Sequence, residues 1–305
     1  MQIGTNQFYN LGSSQLSALS AKADAINTQI ATTKKFTNPS DDVVAYNRLS
    51  TIKQATADGA AYKSNVTLAG SLLQQTDNTL TSVSTQLQRA AELTTYAANG
   101  TLNDSDRKTI AVELQSIHDD LVSLANTKDA RGQPLFGTAS GGSTAVTQAA
   151  DGSVAFNGSG DVSAIPVADG TSIQSNETAA RVFGNVPASG GGTTDIFAVL
   201  TSFISALNAG GDISAAAGTA ADAIKASTTQ VASVQGSVGA REARLDIVSS
   251  QATDAAGARE LDRSGLEDTD MSSAITELQK TMTVLSATQA SFTKLGSLSL
   301  FDYLK

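Results

Sequence analysis

The single histidine of the chain is the first candidate for chemistry, because imidazole is the side chain that most often transfers protons in enzymes. His118 lies beside Asp119 and Asp120 in a stretch with helical periodicity. A general base needs a reacting group within reach, and no nucleophile motif accompanies this histidine. We therefore interpret His118 as an ordinary helix residue, and the sequence predicts no catalytic site.

Acidic and glycine-rich positions offer no stronger site. Asp41 and Asp42 could form a metal pair, but helix capping explains both residues. Asp151 and Asp169, each followed by Gly, are typical of turns, because neither stretch has the repeated oxygen ligands and closing glutamate of a calcium loop. Residues 190–192 are three glycines without the Lys-Ser/Thr that completes a phosphate loop. We expect no cofactor and no metal.

Charge and composition exclude further classes of protein. The 305 residues include 20 basic and 29 acidic side chains, a net charge of -9, without a Lys/Arg cluster that could neutralise nucleic-acid phosphates. The sequence contains no run of about 18 apolar residues, so we expect no membrane span. The N-terminus lacks a basic segment followed by an apolar one, so we expect no cleaved signal peptide. With 5% aromatic residues and no tryptophan, we expect area to be buried along long helices.

The two ends of the chain carry matched heptad patterns. Their apolar positions follow the alternating four-three spacing of a coiled-coil seam, so the simplest prediction is that the two ends pair. Their remaining faces carry few charges, which suggests burial against other chains. The predicted assembly residues are Leu16, Leu19, Ile26, Ile30, Met271, Ile275, Leu278, Met282, Leu285, Phe292, Leu295 and Phe301.

A turn follows the N-terminal segment at Asn38, Pro39, Ser40, Asp41 and Asp42. Proline disfavours helix at the residue before it, and we expect Ser40 to cap the next helix. That helix should run from residue 41 to about 98 and end at an Asn-Gly pair. Asp104 or Ser105 should cap a third helix that reaches about 128, and the short turn before it predicts an antiparallel hairpin.

Residues 138–193 change character, with glycine turns and β-branched residues that predict a small β-rich insert. Helix should resume near 194, and a second long helix should span about 219–261, with Ser264-Gly265 separating it from the C-terminal segment. The predicted fold is mainly α with a small β insert, a long antiparallel helical bundle or coiled coil. Three domains are expected: a terminal coiled-coil assembly domain (1–35 and 266–305), a helical-bundle domain (36–137 and 194–265) and the inserted domain (138–193).

Several motifs resemble the flagellins and flagellin-like axial proteins of bacterial flagella, and within that family its hook-filament junction members. The resemblance covers both ends and most of the chain. The motifs that carry it are MQIGTN at 1–6, NPSDD at 38–42, LQRAAEL at 87–93, LANT at 124–127, LFG at 135–137, RVFG at 181–184 and LSLFDYL at 298–304.

This resemblance implies a non-enzymatic structural subunit in the extracellular flagellum, exported by the flagellar type III route without a cleaved signal. It implies four partners: further copies of the chain in a ring, the neighbouring hook-associated protein on the hook side, flagellin on the filament side, and a cytosolic export chaperone on the C-terminal helix. Two alternatives stay open at this point, a filament-forming flagellin and a secreted coiled-coil adhesin or binding protein.

Overall fold

Long helices dominate the structure, a computed structural model. It describes residues 2–100, 102–138, 140, 142–150, 152–158, 160, 162–188 and 191–301, and the side chains of these except 2–6, 8 and 295–301. The helices are α1 (Gln2–Thr32), α2 (Val43–Ala97), α3 (Asp104–Ala125), α4 (Ala179–Phe183), α5 (Ile196–Ala209), α6 (Ser214–Glu267) and α7 (Met271–Phe301). The predicted fold class is confirmed.

Three antiparallel strand pairs occupy the described part of the insert. β1 (Val146–Gln148) pairs with β2 (Val154–Phe156), β3 (Ala164–Ala168) with β4 (Thr171–Gln174), and β5 (Val186–Pro187) with β6 (Thr193–Thr194). Gly170 forms the tight β3–β4 turn at a φ of 63°, a conformation that glycine adopts without strain. Each pair is too short to be stable alone, so the insert depends on the helices that it covers.

The chain is divided into two compact units. The terminal unit comprises residues up to Asp58 together with residues from Asp254 onward, and the central unit is Gly59–Thr253. The insert lies wholly within the central unit. The three-domain division expected from the sequence stays a prediction.

One hydrophobic cluster fills the central unit. Leu80 and Leu87 of α2, Leu114 of α3 and Leu200 of α5 are almost fully buried in it, as is Ile173 of the insert. Burial of a large aliphatic side chain stabilises the fold by about 1.5–3 kcal/mol. Strands and helices therefore share one core.

Helix starts in the structure follow side-chain capping, but two predicted caps are wrong. Asp42 Oδ1 accepts the Ala45 amide at 2.9 Å and begins α2, where Ser40 was expected. Asn103 Oδ1 accepts the Asp106 amide at 2.9 Å and caps α3, where Asp104 or Ser105 was expected. Aspartate and asparagine are as good at the N-cap as serine, so the pattern alone did not identify the capping residue.

Helix α6 does not end at Ser264-Gly265 as expected, but continues to Glu267. A glycine inside a helix costs about 1 kcal/mol relative to alanine, which does not by itself end the helix. The break comes at residues 268–270. There Asp270 Oδ1 accepts the amides of Ser272 and Ser273, at 3.0 and 3.3 Å, and starts α7.

Candidate assembly surface

Helices α1 and α7 pack against each other within the terminal unit. On α1, Ala23 and Ile26 are buried, and Leu16, Leu19 and Ile30 are half-buried. These five positions keep the alternating spacing of three and four residues, and none of them is fully exposed. This spacing is that of a narrow two-helix seam.

On α7 the buried side of the helix is shifted by one position from part of the predicted heptad pattern. Ala274 and Thr281 are buried, with 8% and 4% of their surface exposed. Leu278, Leu285 and Phe292 are half-buried and complete the seam. The small residues at 274 and 281 let the two helices approach, which explains why they occupy the buried side.

The other predicted α7 seam residues face outward and form what we call the exposed stripe: Met271, Ile275 and Met282, with 37%, 44% and 48% of their surface exposed. At 100° per residue, these three positions fall within about 40° of one another on the helix. They adjoin the half-buried leucines, so one broad apolar face is covered on one side only. Leu295 and Phe301 complete the predicted set, and their side chains lie outside the described part.

An aromatic contact closes the pair towards the end of α7. The rings of Tyr9 and Phe292 meet edge to face, with centroids 5.4 Å apart. Gly12 lies directly under the Phe292 ring, and a Cβ at this position would come within 2.5 and 2.7 Å of two ring carbons. Only glycine fits beneath the ring as it stands.

The α1–α7 helix pair carries few charged side chains. Lys22 Nζ and Glu277 Oε1 lie 2.5 Å apart, with 54% and 42% of their side chains exposed. An ion pair this exposed contributes about 0–1 kcal/mol. The α1–α7 pairing therefore depends mainly on its apolar seam, and much of its uncharged outer surface stays open.

A cluster of charges joins the ends of α1 and α6. Glu267 has 4% of its surface exposed, and its carboxylate binds Lys34 Nζ at 2.5 Å and Arg263 Nη1 at 2.9 Å. The hydrogen bond from Lys34 holds the pKa of Glu267 below its ordinary value; burial opposes this, and a hydrogen bond from Arg263 adds to it. We call these three residues the latch.

The residues first considered for chemistry have structural roles. His118 is buried, meets the Phe197 ring edge to face at 5.7 Å between centroids, and lies with Nδ1 3.2 Å from Asp119 Oδ1. Asp41 Oδ2 accepts the amides of Thr37 and Asn38 at 3.2 and 3.0 Å, which closes the turn before α2.

Other candidate ligand positions are not assembled. Among the described residues, no three His, Asp or Glu side chains come together as a metal ion requires. Asp151 and Gly190 lie outside the described residues. In that same portion of the chain, no helix combines the length and apolarity needed to cross a membrane.

Sequence reasoning missed two features of the terminal unit. Gly12 continues the α1 heptad one step before Leu16, so its place in the seam was readable from the spacing. For the latch, the only local signal was the four-residue step from Arg263 to Glu267, which suits a helical ion pair. Nothing local identified Lys34 as its third member.

Comparison with known proteins agrees with this architecture. Residues 3–140 match the bacterial flagellin N-terminal helical region. The match to the solved structure of flagellar hook associated protein-3 from Legionella pneumophila covers 70% of this chain and 97% of the Legionella chain, with 19% identity and a TM-score of 0.63. The flagellar junction protein from the same species covers 72% and 100%, with 19% identity and a TM-score of 0.58. These two likenesses show the fold.

The matched N-terminal region, the paired terminal helices and the shared fold define a class. That class is the flagellin superfamily, to which the chain is similar in residues 3–140. Within it, the chain is similar over almost its whole length to flagellar hook-associated protein 3 of Salmonella typhimurium, with 28% identity over 317 residues and 99% of each chain covered.

Proposed function

We propose that this chain is a structural subunit of the bacterial flagellum that forms the junction between hook and filament. The observation that carries the proposal is the half-covered apolar face of α7, in a chain with full-length similarity to hook-associated protein 3. An apolar stripe on a helix with few charges is a docking surface for other helices. It suits a subunit whose work is assembly and not catalysis.

In the proposed assembly, copies of the chain form a ring through residues 1–35 and 266–305. The neighbouring hook-associated protein lies on the hook side, and flagellin assembles on the filament side. Before assembly the subunit leaves the cell by the flagellar type III route, with a cytosolic chaperone on its C-terminal helix. The uncovered stripe supports the chaperone part of the proposal, because an exposed apolar helix face promotes aggregation.

The exposed stripe gives the sharpest test of this assembly. Met282 is 48% exposed, so Met282→Glu should change the unfolding free energy of the free subunit by no more than about 0.5 kcal/mol. We expect the same change to block incorporation into flagella, because a buried unpaired charge is costly at a subunit contact. Met282→Leu is the matched control and should incorporate normally.

Incorporation is measured by immunogold labelling of flagella and by motility in a strain that lacks the native gene. Normal incorporation of Met282→Glu would contradict the proposed surface. Leu278→Asp and Leu285→Asp should also block incorporation and leave the central unit folded by circular dichroism, with Leu→Met at each position as control.

A filament-forming flagellin is the nearest alternative. It would polymerise by itself into long helical tubes, whereas a junction subunit should not. Electron microscopy of the concentrated purified protein separates the two, and long tubes in the absence of other components would favour the flagellin.

A further inference from the structure

Two short connections join the α1–α7 pair to the other helices of the terminal unit. Residues 33–42 lead from α1 to α2, and residues 268–270 lead from α6 to α7. The backbone angles in these connections decide the direction in which the pair leaves α2 and α6. Thr33 adopts a φ of 59°, which is uncommon for a residue other than glycine and shows that the turn is tightly defined.

Backbone hydrogen bonds tie the two connections together. The Lys35 amide donates to the Glu267 carbonyl at 2.7 Å, and the Thr269 amide donates to the Thr33 carbonyl at 2.9 Å, around a bridge between Lys34 and Asp268. Each such bond contributes about 0.5–1.5 kcal/mol. Such a small ladder needs further support to hold a helix pair in one direction.

The latch supplies that support. Glu267 is the only buried charged side chain in the described part of the terminal unit. It links Lys34, in the first connection, to Arg263, on α6. Arg263 is itself oriented by two hydrogen bonds to the Glu260 carboxylate, at 2.7 and 2.9 Å. A carboxylate is retained in a buried position only where partners offset its lost hydration. Here Lys34 comes from the first connection, whereas Arg263 lies one turn earlier on α6, the helix of Glu267 itself, and holds the carboxylate towards Lys34.

We propose that Glu267 is a positioning residue that fixes the direction of the α1–α7 pair through its contacts with Lys34 and Arg263. For a junction subunit, the consequence is that the exposed stripe is presented to neighbouring copies in one direction. This second step rests on the proposed function, whereas the first concerns the free chain alone.

The chain has no cysteine, so two spin labels can be placed without removing native thiols. Ala256→Cys on α6 and Ser286→Cys on α7 lie on exposed positions, about 17 and 22 Å along their helices from the ends that meet at the connection. We expect one narrow distance distribution for the doubly labelled full chain. Glu267→Gln should at least double its width, while Asp262→Asn, which removes an exposed carboxylate of α6 that is not part of the latch, leaves the width nearly unchanged.

Circular dichroism checks that Glu267→Gln keeps its helices. If that variant loses helix, Lys34→Met decides the question: it should broaden the distribution, and Lys34→Arg should restore it. A distribution that is already broad in the unchanged chain, or one that stays narrow in both Glu267→Gln and Lys34→Met, would overturn the proposal.

Motility of a deletion strain carrying Glu267→Gln tests the second step. A broadened distribution with loss of motility supports both steps, and a broadened distribution with normal motility overturns the second step alone. If the unchanged gene proves unnecessary for filament attachment, the proposed function fails while the distance result still stands.

Discussion

Gly12 offers the most quantitative test of the α1–α7 pair. An alanine Cβ at this position would lie 2.5 Å from Cε2 and 2.7 Å from Cδ2 of Phe292, about 1 Å inside ordinary contact distance. The ring must therefore shift, and it loses its edge-to-face contact with Tyr9. Overpacking of this kind costs about 1–3 kcal/mol, and alanine returns about 1 kcal/mol of helix propensity.

We expect Gly12→Ala to lower the stability of the α1–α7 pair by up to about 2 kcal/mol in total. A loss of this size makes amide exchange in the two helices faster by up to about thirty-fold. Hydrogen exchange read by mass spectrometry, peptide by peptide along α1 and α7, measures it. Gly257→Ala is the matched control, because a Cβ there meets no atom within 4 Å. That control should slow exchange locally, since only the propensity gain remains.

A double-mutant cycle separates the ring contact from other effects. In a Phe292→Ala background the obstruction is gone, so Gly12→Ala should become stabilising by up to about 1 kcal/mol. The reasoning is refuted if Gly12→Ala slows exchange in the otherwise unchanged chain. It is equally refuted if the substitution has the same effect with and without the Phe292 ring.

Two further predictions concern the core and the latch. Leu114→Ala, at a fully buried site, should lower the unfolding free energy of the central unit by about 2–5 kcal/mol in urea denaturation. Val112 is 69% exposed on the same helix, so Val112→Ala should change that free energy by less than about 0.5 kcal/mol. Equal losses in the two variants would contradict this packing. The pKa of Glu267 in the folded chain lies below its ordinary value of about 4.3. The ionised latch therefore stabilises the fold above about pH 4.3, and this stabilisation is lost as the pH falls through the lowered pKa of the folded chain. The spin-label distribution should accordingly broaden on acidification in the unchanged chain, and a Glu267→Gln chain that shows the same pH-dependent broadening would argue against the latch.

Much of this architecture was predictable because heptad spacing acts locally. Ile26 on α1 and Leu278 and Leu285 on α7 were predicted as seam residues. Ile26 is buried in the structure, and the two leucines are half-buried. The phase of the α7 seam was not predictable. Leu278 and Leu285 fit both phases of the broad apolar face, and only the partner helix selects Ala274 and Thr281 over Met271 and Met282.

The features that sequence reasoning missed are non-local or depend on competition between equivalent residues. Lys34 and Glu267 are brought together by the folded chain, and no spacing rule relates them. At the start of α2, Ser40, Asp41 and Asp42 are all competent caps, so the residue that caps the helix depends on the geometry of the turn that contains Pro39. The role of the exposed stripe as an assembly surface stays a prediction, because it concerns other subunits.

The most direct test of the account is deletion of the gene in its own bacterium, followed by measurement of flagellin in the medium and on the cells. If the chain forms the junction, the deletion cells keep their hooks, carry no filaments and shed flagellin into the medium, and filaments are restored by the unchanged gene and not by Met282→Glu. Filaments of normal length and number on the deletion strain would contradict it.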